Sequence, residues 1–227
     1  MKPPAIIAID GPAASGKSTL GFRLAEVLGY LYFDTGLMYR AVTWLVLKRG
    51  VNVRDEPAVT QLAEDVPIEV SPPSLDDGRA CDVVVDGLDI TWEMSTPEID
   101  TNVSIVAAYP GVRRALTAQQ RRIGMRGRVV MVGRDIGTVV LPEADLKIYL
   151  VASAEQRARS RFNEIIARGG QASYPEILAK VVERDHVDST RIVAPLKAAG
   201  DAIVLDSDQL DADQVFEKAY DLCNTLG

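Results

Sequence analysis

Five short apolar runs, rich in β-branched and aromatic residues, punctuate the chain at residues 5–9, 30–33, 128–132, 146–151 and 202–205. Stretches with helical periodicity separate them. Over residues 17–28, Leu20, Leu24 and Leu28 recur every fourth position, and Gly29 is placed to cap the end. Met38, Ala41, Val42 and Leu45 share one face of residues 37–49, which Gly50 could terminate. Near the far end Val215, Ala219, Leu222 and Cys223 make another apolar face. Continuous apolar strands alternating with amphipathic helices predict βαβ units around a parallel sheet buried on both faces. The fold class is therefore α/β.

Two stretches break the rhythm. Residues 67–94 hold the short segments IEV and DVVVDG on either side of the turn-rich SPPSLDDGR, which predicts a small antiparallel insertion. Residues 154–184 are arginine-rich and helical, interrupted by Gly169-Gly170. No internal repeat or low-complexity tract is present, so the 227 residues read as one domain with insertions.

Charge and rare residues narrow the chemistry. Twenty-five basic against 32 acidic residues give a net charge of −7, which disfavours nucleic acid as a partner because a phosphate backbone calls for a basic face. The two cysteines, Cys81 and Cys223, are far apart and make no thiolate metal motif. The single histidine, His186, excludes a multi-histidine metal site and reads as a surface residue. Trp44 and Trp92 read as packing residues. No run approaches 18 apolar residues, so no membrane span is expected. The run at residues 5–9 is too short for a secretory leader, and the expected location is the cytoplasm. A monomer is expected.

The first strand runs into Gly11-Pro12-Ala13-Ala14-Ser15-Gly16-Lys17-Ser18, followed by Thr19 and a predicted helix. This matches the phosphate-binding pattern GxxxxGK[ST] in the strand–loop–helix context it requires. Glycines let backbone amides close on phosphate oxygens, and the helix N-terminus adds positive potential. Lys17 supplies a point charge to the β- and γ-phosphates, and Ser18 a hydroxyl for Mg²⁺. ATP and Mg²⁺ are thus the expected cofactors. A GTPase would need NKxD and DxxG, and neither spacing occurs.

Further words follow in order: Asp34-Thr35-Gly36 with Tyr39-Arg40; Asn102-Val-Ser104; Val112-Arg113; Gly133-Arg134-Asp135-Ile-Gly137; and Glu183-Arg184-Asp185 through Asp188 and Arg191 to Val193-Ala-Pro-Leu196. With the phosphate loop in front, they closely resemble the bacterial cytidylate kinases along essentially the whole chain. Thr35 departs from the serine common there, but the hydroxyl is retained. The resemblance implies a three-layer P-loop fold on a five-stranded parallel sheet and transfer of the γ-phosphoryl group of ATP to CMP or dCMP. It also implies an acceptor-binding part within about residues 34–102.

By the same resemblance Arg40 and Arg113 hold the acceptor phosphate, and Arg184, Asp188 and Arg191 face the monophosphate, with Asp188 near the sugar hydroxyls. Arg184, Asp188 and Arg191 sit at i, i+4 and i+7, one face of a helix. Asp34, Thr35, Ser104, Arg134 and Asp135 complete the expected acceptor set. Cytosine offers an amino donor and two acceptors, so a carboxylate or hydroxyl with an arginine can read it. Whether Asp135 also ligates the metal stays open.

Arg157 and Arg161 lie four apart, with Arg168 a heptad further. They predict a short helical lid over about residues 154–172, its arginines closing over the transferring phosphoryl group and Gly169-Gly170 lending flexibility. A solvated helix face is the plainer reading of the same arginines. An acceptor such as UMP or shikimate, and an ATP-binding regulatory module without transfer, also stay open.

Overall fold

The computed structural model describes residues 3–225. Five parallel strands form one sheet in the order β2 (Leu31–Asp34), β6 (Val129–Gly133), β1 (Ile6–Asp10), β7 (Leu146–Val151), β8 (Ile203–Asp206). One face is covered by α1 (Lys17–Leu28) and α8 (Ala212–Thr225), around Ile7, Ile9, Leu24 and Phe216. The other carries α2 (Gly36–Lys48), α3 (Glu56–Asp65), α4 (Pro97–Ala108) and α5 (Pro110–Gly124), around Phe33, Met38, Leu116 and Met131. The expected α/β fold, with helices on both faces of a five-stranded parallel sheet, is the fold observed.

Four of the five strands run one residue beyond the apolar run that predicts them, to end on Asp10, Asp34, Gly133 and Asp206. Ladder pairing causes the shift: Asp10 aligns with both Gly133 and Tyr149, and Asp34 with Val132. Polar residues that would read as loop are thereby fixed at the carboxyl edge, where open α/β sheets bind ligands.

The insertion forms as expected, from β3 (Ile68–Ser71), β4 (Asp82–Val85) and β5 (Leu88–Asp89), all antiparallel. Ile68, Val70, Val83 and Val85 join the core on the α2–α5 side of the main sheet. Arg79 ties its long turn together, reaching Asp77, Asp82 and Asp89 at 2.7–2.8 Å. Trp92 does not pack as the sequence suggests. It stays 57% exposed, with its indole N–H on Asp77. Trp44 is half-buried and donates to Glu93.

The arginine-rich stretch makes α6 (Ala154–Ala167) and α7 (Tyr174–Thr190), which pack against each other. The glycine pair closes α6: Gly169 donates to Ile166 O and Gly170 to Ile165 O, both at 2.9 Å. Gly169 takes the left-handed φ of 76° that such a C-terminal cap uses. The two glycines expected to lend flexibility thus form the cap that ends α6. The helix that carries Arg184 and Asp188 ends at Thr190, and Arg191 is extended (φ −61°, ψ 141°). The single helical face expected for all three is cut one residue short.

Helix α5 packs on α3 where Gly111 has no side chain to spare. A Cβ there would lie 2.3 Å from Thr60 Cγ2 and 2.5 Å from Thr60 Oγ1. Gly111→Ala is expected to cost about 1–3 kcal/mol of stability, as overpacking does, and to lower Tm by about 2–4 °C per kcal/mol. Thr60→Ala in the same chain should recover part of that loss in a thermal melt. An unchanged Tm for Gly111→Ala would show that the helices can separate freely.

Candidate active site

The phosphate loop follows β1 directly. A Cβ on Gly11 would sit 2.3 Å from the Leu150 carbonyl oxygen, so only glycine lets the loop turn so close to β7. Ala14 and Gly16 take left-handed φ values of 59° and 87°, and α1 begins at the next residue with its amides facing the loop. Lys17 is buried and donates to Pro12 O at 2.7 Å. Burial, reinforced by the Arg134 guanidinium, holds its ammonium well below a lysine's usual pKa. A polyphosphate would supply the missing counter-charge. The cleft beside the loop has a volume of about 820 Å³. Its walls are the loop, Arg157 and Arg161 of α6, Lys180 and Arg184 of α7, and the segment from Ser207 into α8. That size suits a nucleotide.

At the mouth of the loop Ser18 Oγ donates to Asp34 Oδ2 at 3.1 Å, while Asp34 Oδ1 accepts the Gly36 amide at 2.9 Å. A hydroxyl beside a carboxylate is a hard-oxygen pair of the kind Mg²⁺ takes. Asp34 thus stands with the donor loop. Among the described residues no group of three or more His, Cys, Asp and Glu side chains could hold a metal alone, so most ligands would have to come from the nucleotide and water. Thr35 departs from expectation. Its side chain is buried and its hydroxyl donates to Val132 O at 3.0 Å, which commits the proton to closing the β2–α2 turn against β6.

The other expected acceptor residues gather on the far side of the cleft in a chain of alternating charge. Arg113 Nη2 meets Asp135 Oδ2 at 2.8 Å, with both side chains more than nine-tenths buried. Arg191 reaches Asp135 Oδ1 at 3.5 Å and Asp188 Oδ1 at 3.4 Å. Arg134 Nε donates to Asp188 Oδ2 at 3.0 Å, and Arg184, mostly exposed, stands 4.0 Å from the same oxygen. Among the described residues Arg113 Nε is buried without a hydrogen-bond partner, and Arg191 Nη2 has only its 3.5 Å approach to Asp135. Buried guanidinium donors so poorly served call for acceptor oxygens from outside the chain. Asp135, bracketed by Arg113 and Arg191, is poorly suited to hold a cation. Arg40 approaches from α2, donating to Met94 O at 2.9 Å and to Asp100 at 2.6 Å. Ser104, exposed on α4, is one turn beyond Asp100.

Arg157 and Arg161 part company. Arg157 is 3% exposed. It donates to Ala152 O and Ala13 O, both at 3.0 Å, and makes a two-pronged pair with Asp185. It is a strut between the phosphate loop, the end of β7 and α7. Arg161 is over half exposed and meets only Glu164, at 3.0 Å, on its own helix. His186 is exposed, as expected.

Two carboxylates escaped the motif reading. Asp185 neighbours the named Arg184, and nothing in spacing alone pairs it with Arg157, 28 residues away. Asp10 ends β1, where a single acid after an apolar run reads as an ordinary turn residue. Its oxygens instead accept the amides of Ile136 and Gly137 at 2.8 and 2.7 Å. Burial pushes its carboxyl up to about 6, against these hydrogen bonds, which hold it down.

Comparison with known proteins identifies the family. The family described as Cytidylate kinase matches residues 7–225. A protein of Roseiflexus castenholzii named cytidylate kinase is 51% identical over 216 residues, covering 95% of this chain and 91% of its own. One of Chloroflexus aggregans, with the same name, is 51% identical over 92% of this chain and 90% of its own. One of Herpetosiphon aurantiacus is 48% identical over 96% and 93%. The phosphate loop, the arginine-lined cleft facing it and the match along nearly the whole chain lead to one conclusion: the chain belongs to the cytidylate kinase family.

Proposed function

We propose that the chain transfers the γ-phosphoryl group of ATP to CMP or dCMP, giving ADP and CDP or dCDP, with Mg²⁺ held through the triphosphate. One observation carries this reading. Arg134 and Arg184 act on Lys17 across the site, and they belong to a set of five guanidiniums, with Arg40, Arg113 and Arg191, that meet only three carboxylates, Asp100, Asp135 and Asp188. The excess positive charge matches an acceptor phosphate that is largely a dianion at neutral pH.

Such an acceptor needs no general base. The barrier lies in bringing two polyanions into line, so positioning and charge neutralisation do most of the catalysis. Lys17 exchanges Pro12 O for a β- or γ-oxygen of the donor. Ser18 and Asp34 would hold the magnesium through their oxygens, and the ion would supply positive charge to offset the charge of the donor's phosphates. Arg113 turns its unpaired Nε and Arg191 its loosely held Nη2 to the acceptor, with Arg40 and Arg184 closing on its phosphate. Asp188 accepts a sugar hydroxyl. Ser104, Arg134 and Asp135 are the candidate readers of the cytosine edge. Arg161, on the surface of α6, is the arginine free to reach the transferring group, while Arg157 holds the loop in shape. The acidic chain and the narrow basic cleft favour small nucleotides over nucleic acid as partners. Among the described residues no helix is long and apolar enough to cross a membrane.

ADP release measured with CMP, dCMP, UMP and AMP side by side tests the reading. CMP and dCMP should stimulate turnover, and ATP binding with no acceptor-dependent ADP release would assign the chain to regulation instead. Lys17→Met is expected to lower kcat by about 100-fold or more, the scale of losing a transition-state donor. Its Tm should hold, because the replaced ammonium is buried and near-isosteric with the new side chain. Asp188→Ala should raise KM for CMP by about 10- to 100-fold, the loss of a hydrogen bond from a neutral hydroxyl to a charged carboxylate, and leave KM for ATP nearly unchanged. Arg161→Ala should lower kcat without moving Tm. Arg157→Ala should lower both, since Asp185 then loses its partner.

A further inference from the structure

Asp10 occupies the last position of β1, on the face shared with Ala8, and Gly11 of the phosphate loop follows it. Its carboxylate is 5% exposed. Oδ1 accepts the amide of Ile136 at 2.8 Å and Oδ2 that of Gly137 at 2.7 Å. These are the first two residues of a π-helical turn, Ile136–Val140, and Ile136 directly follows Arg134-Asp135. The carboxylate therefore caps this turn from 126 residues away in sequence. A Cβ on Gly137 would lie 3.4 Å from Asp10 Oδ2 and 3.2 Å from Lys147 Cδ, so a side chain there would crowd the carboxylate and the lysine.

A neutral side chain cannot do the same. An asparagine offers one carbonyl oxygen, and its amide hydrogens would oppose the second N–H. Charge is kept at this position despite its burial, which is costly unless hydrogen bonds offset it. Arg134 and Asp135 join opposite ends of the acceptor network, through Asp188 on one side and Arg113 on the other. Any drift of their backbone would carry both ends with it.

We infer that Asp10 is a positioning residue for acceptor recognition: by holding the Ile136 and Gly137 amides it fixes where Arg134 and Asp135 face, and it ties that placement to the first residue of the phosphate loop. This rests on the kinase reading above, and the control separates the two. If the unmodified protein makes no CDP or dCDP, that reading fails whatever Asp10 does.

Given an active parent, Asp10→Asn is expected to raise KM for CMP about tenfold or more, as losing a charge-assisted hydrogen bond would. KM for ATP should stay within about twofold, and kcat should fall less than kcat/KM for CMP. A role confined to stability would lower Tm and leave both KM values unmoved. That result, or a parallel rise of both KM values, overturns the inference.

Should the variant fail to fold, NMR on the unmodified protein reads the same contact. The Ile136 and Gly137 amides should titrate together with a midpoint near the Asp10 value of about 6. The affinity for cytidine, which carries no titrating phosphate, should weaken as pH falls through that midpoint. The charged or titratable groups around Asp10 are Lys17 from α1, Asp135 ahead of the turn, and Lys147 and Tyr149 from β7. Amides that do not titrate, or that titrate with cytidine affinity constant, overturn the proposal.

Discussion

Arg113 and Asp135 meet at 2.8 Å with both side chains almost out of water. Such a pair is stable only when its remaining donors and acceptors are also served, because desolvation can exceed the attraction between two charges. The surrounding side chains reflect that requirement. Arg191 covers the other oxygen of Asp135 and reaches Asp188, which in turn receives Arg134. The proposed acceptor half is thus one connected network drawn from α5, the turn after β6, α7 and the segment following it. Its cations are set in place before any substrate arrives, and preorganised charge of this kind does not have to reorganise during phosphoryl transfer.

The sheet decides where the network can stand. Parallel pairing carries β1, β2 and β6 one residue past their apolar runs, and the extra residues are Asp10, Asp34 and Gly133. Each is fixed by ladder bonds at the same edge of the molecule. Gly133 is confined from above: a Cβ would lie 2.7 Å from Thr35 Oγ1 and 2.6 Å from Ile136 Cδ1. The buried Thr35 hydroxyl follows from that crowding. The position is spent on joining β2 to β6, which leaves Asp34 exposed enough to meet Ser18.

Much of this was legible in the sequence, because the informative features are local. Continuous apolar runs give the parallel sheet, GxxxxGK[ST] gives the loop, and the turn-rich stretch near Gly78 gives the insertion. What was not legible depends on long-range partners. Spacing groups Arg157 with Arg161, yet burial separates them, since only Arg157 faces Ala13 and Asp185 across the hairpin. Gly169-Gly170 looks like a hinge in sequence and is a cap once the amides have carbonyls to find. Asp10 carries no local mark, because the turn it caps follows the neighbouring strand, 126 residues away in sequence.

Arg157 and Asp10 anchor the two sides of the site separately. One is a buried cation that donates to the Ala13 carbonyl inside the loop. The other is a buried anion immediately before it, holding the backbone of the acceptor turn. Each directs its hydrogen bonds to main-chain atoms of a different element, and a main-chain atom cannot move without its neighbours. The loop is therefore braced from α6 and α7, and the turn after β6 from the end of β1. Lys17 lies beside the braced loop, buried and short of counter-charge. A loop so held presents its amides and its lysine to phosphate without first having to order them, and the cost of ordering, which otherwise falls on the binding step, has already been met in folding.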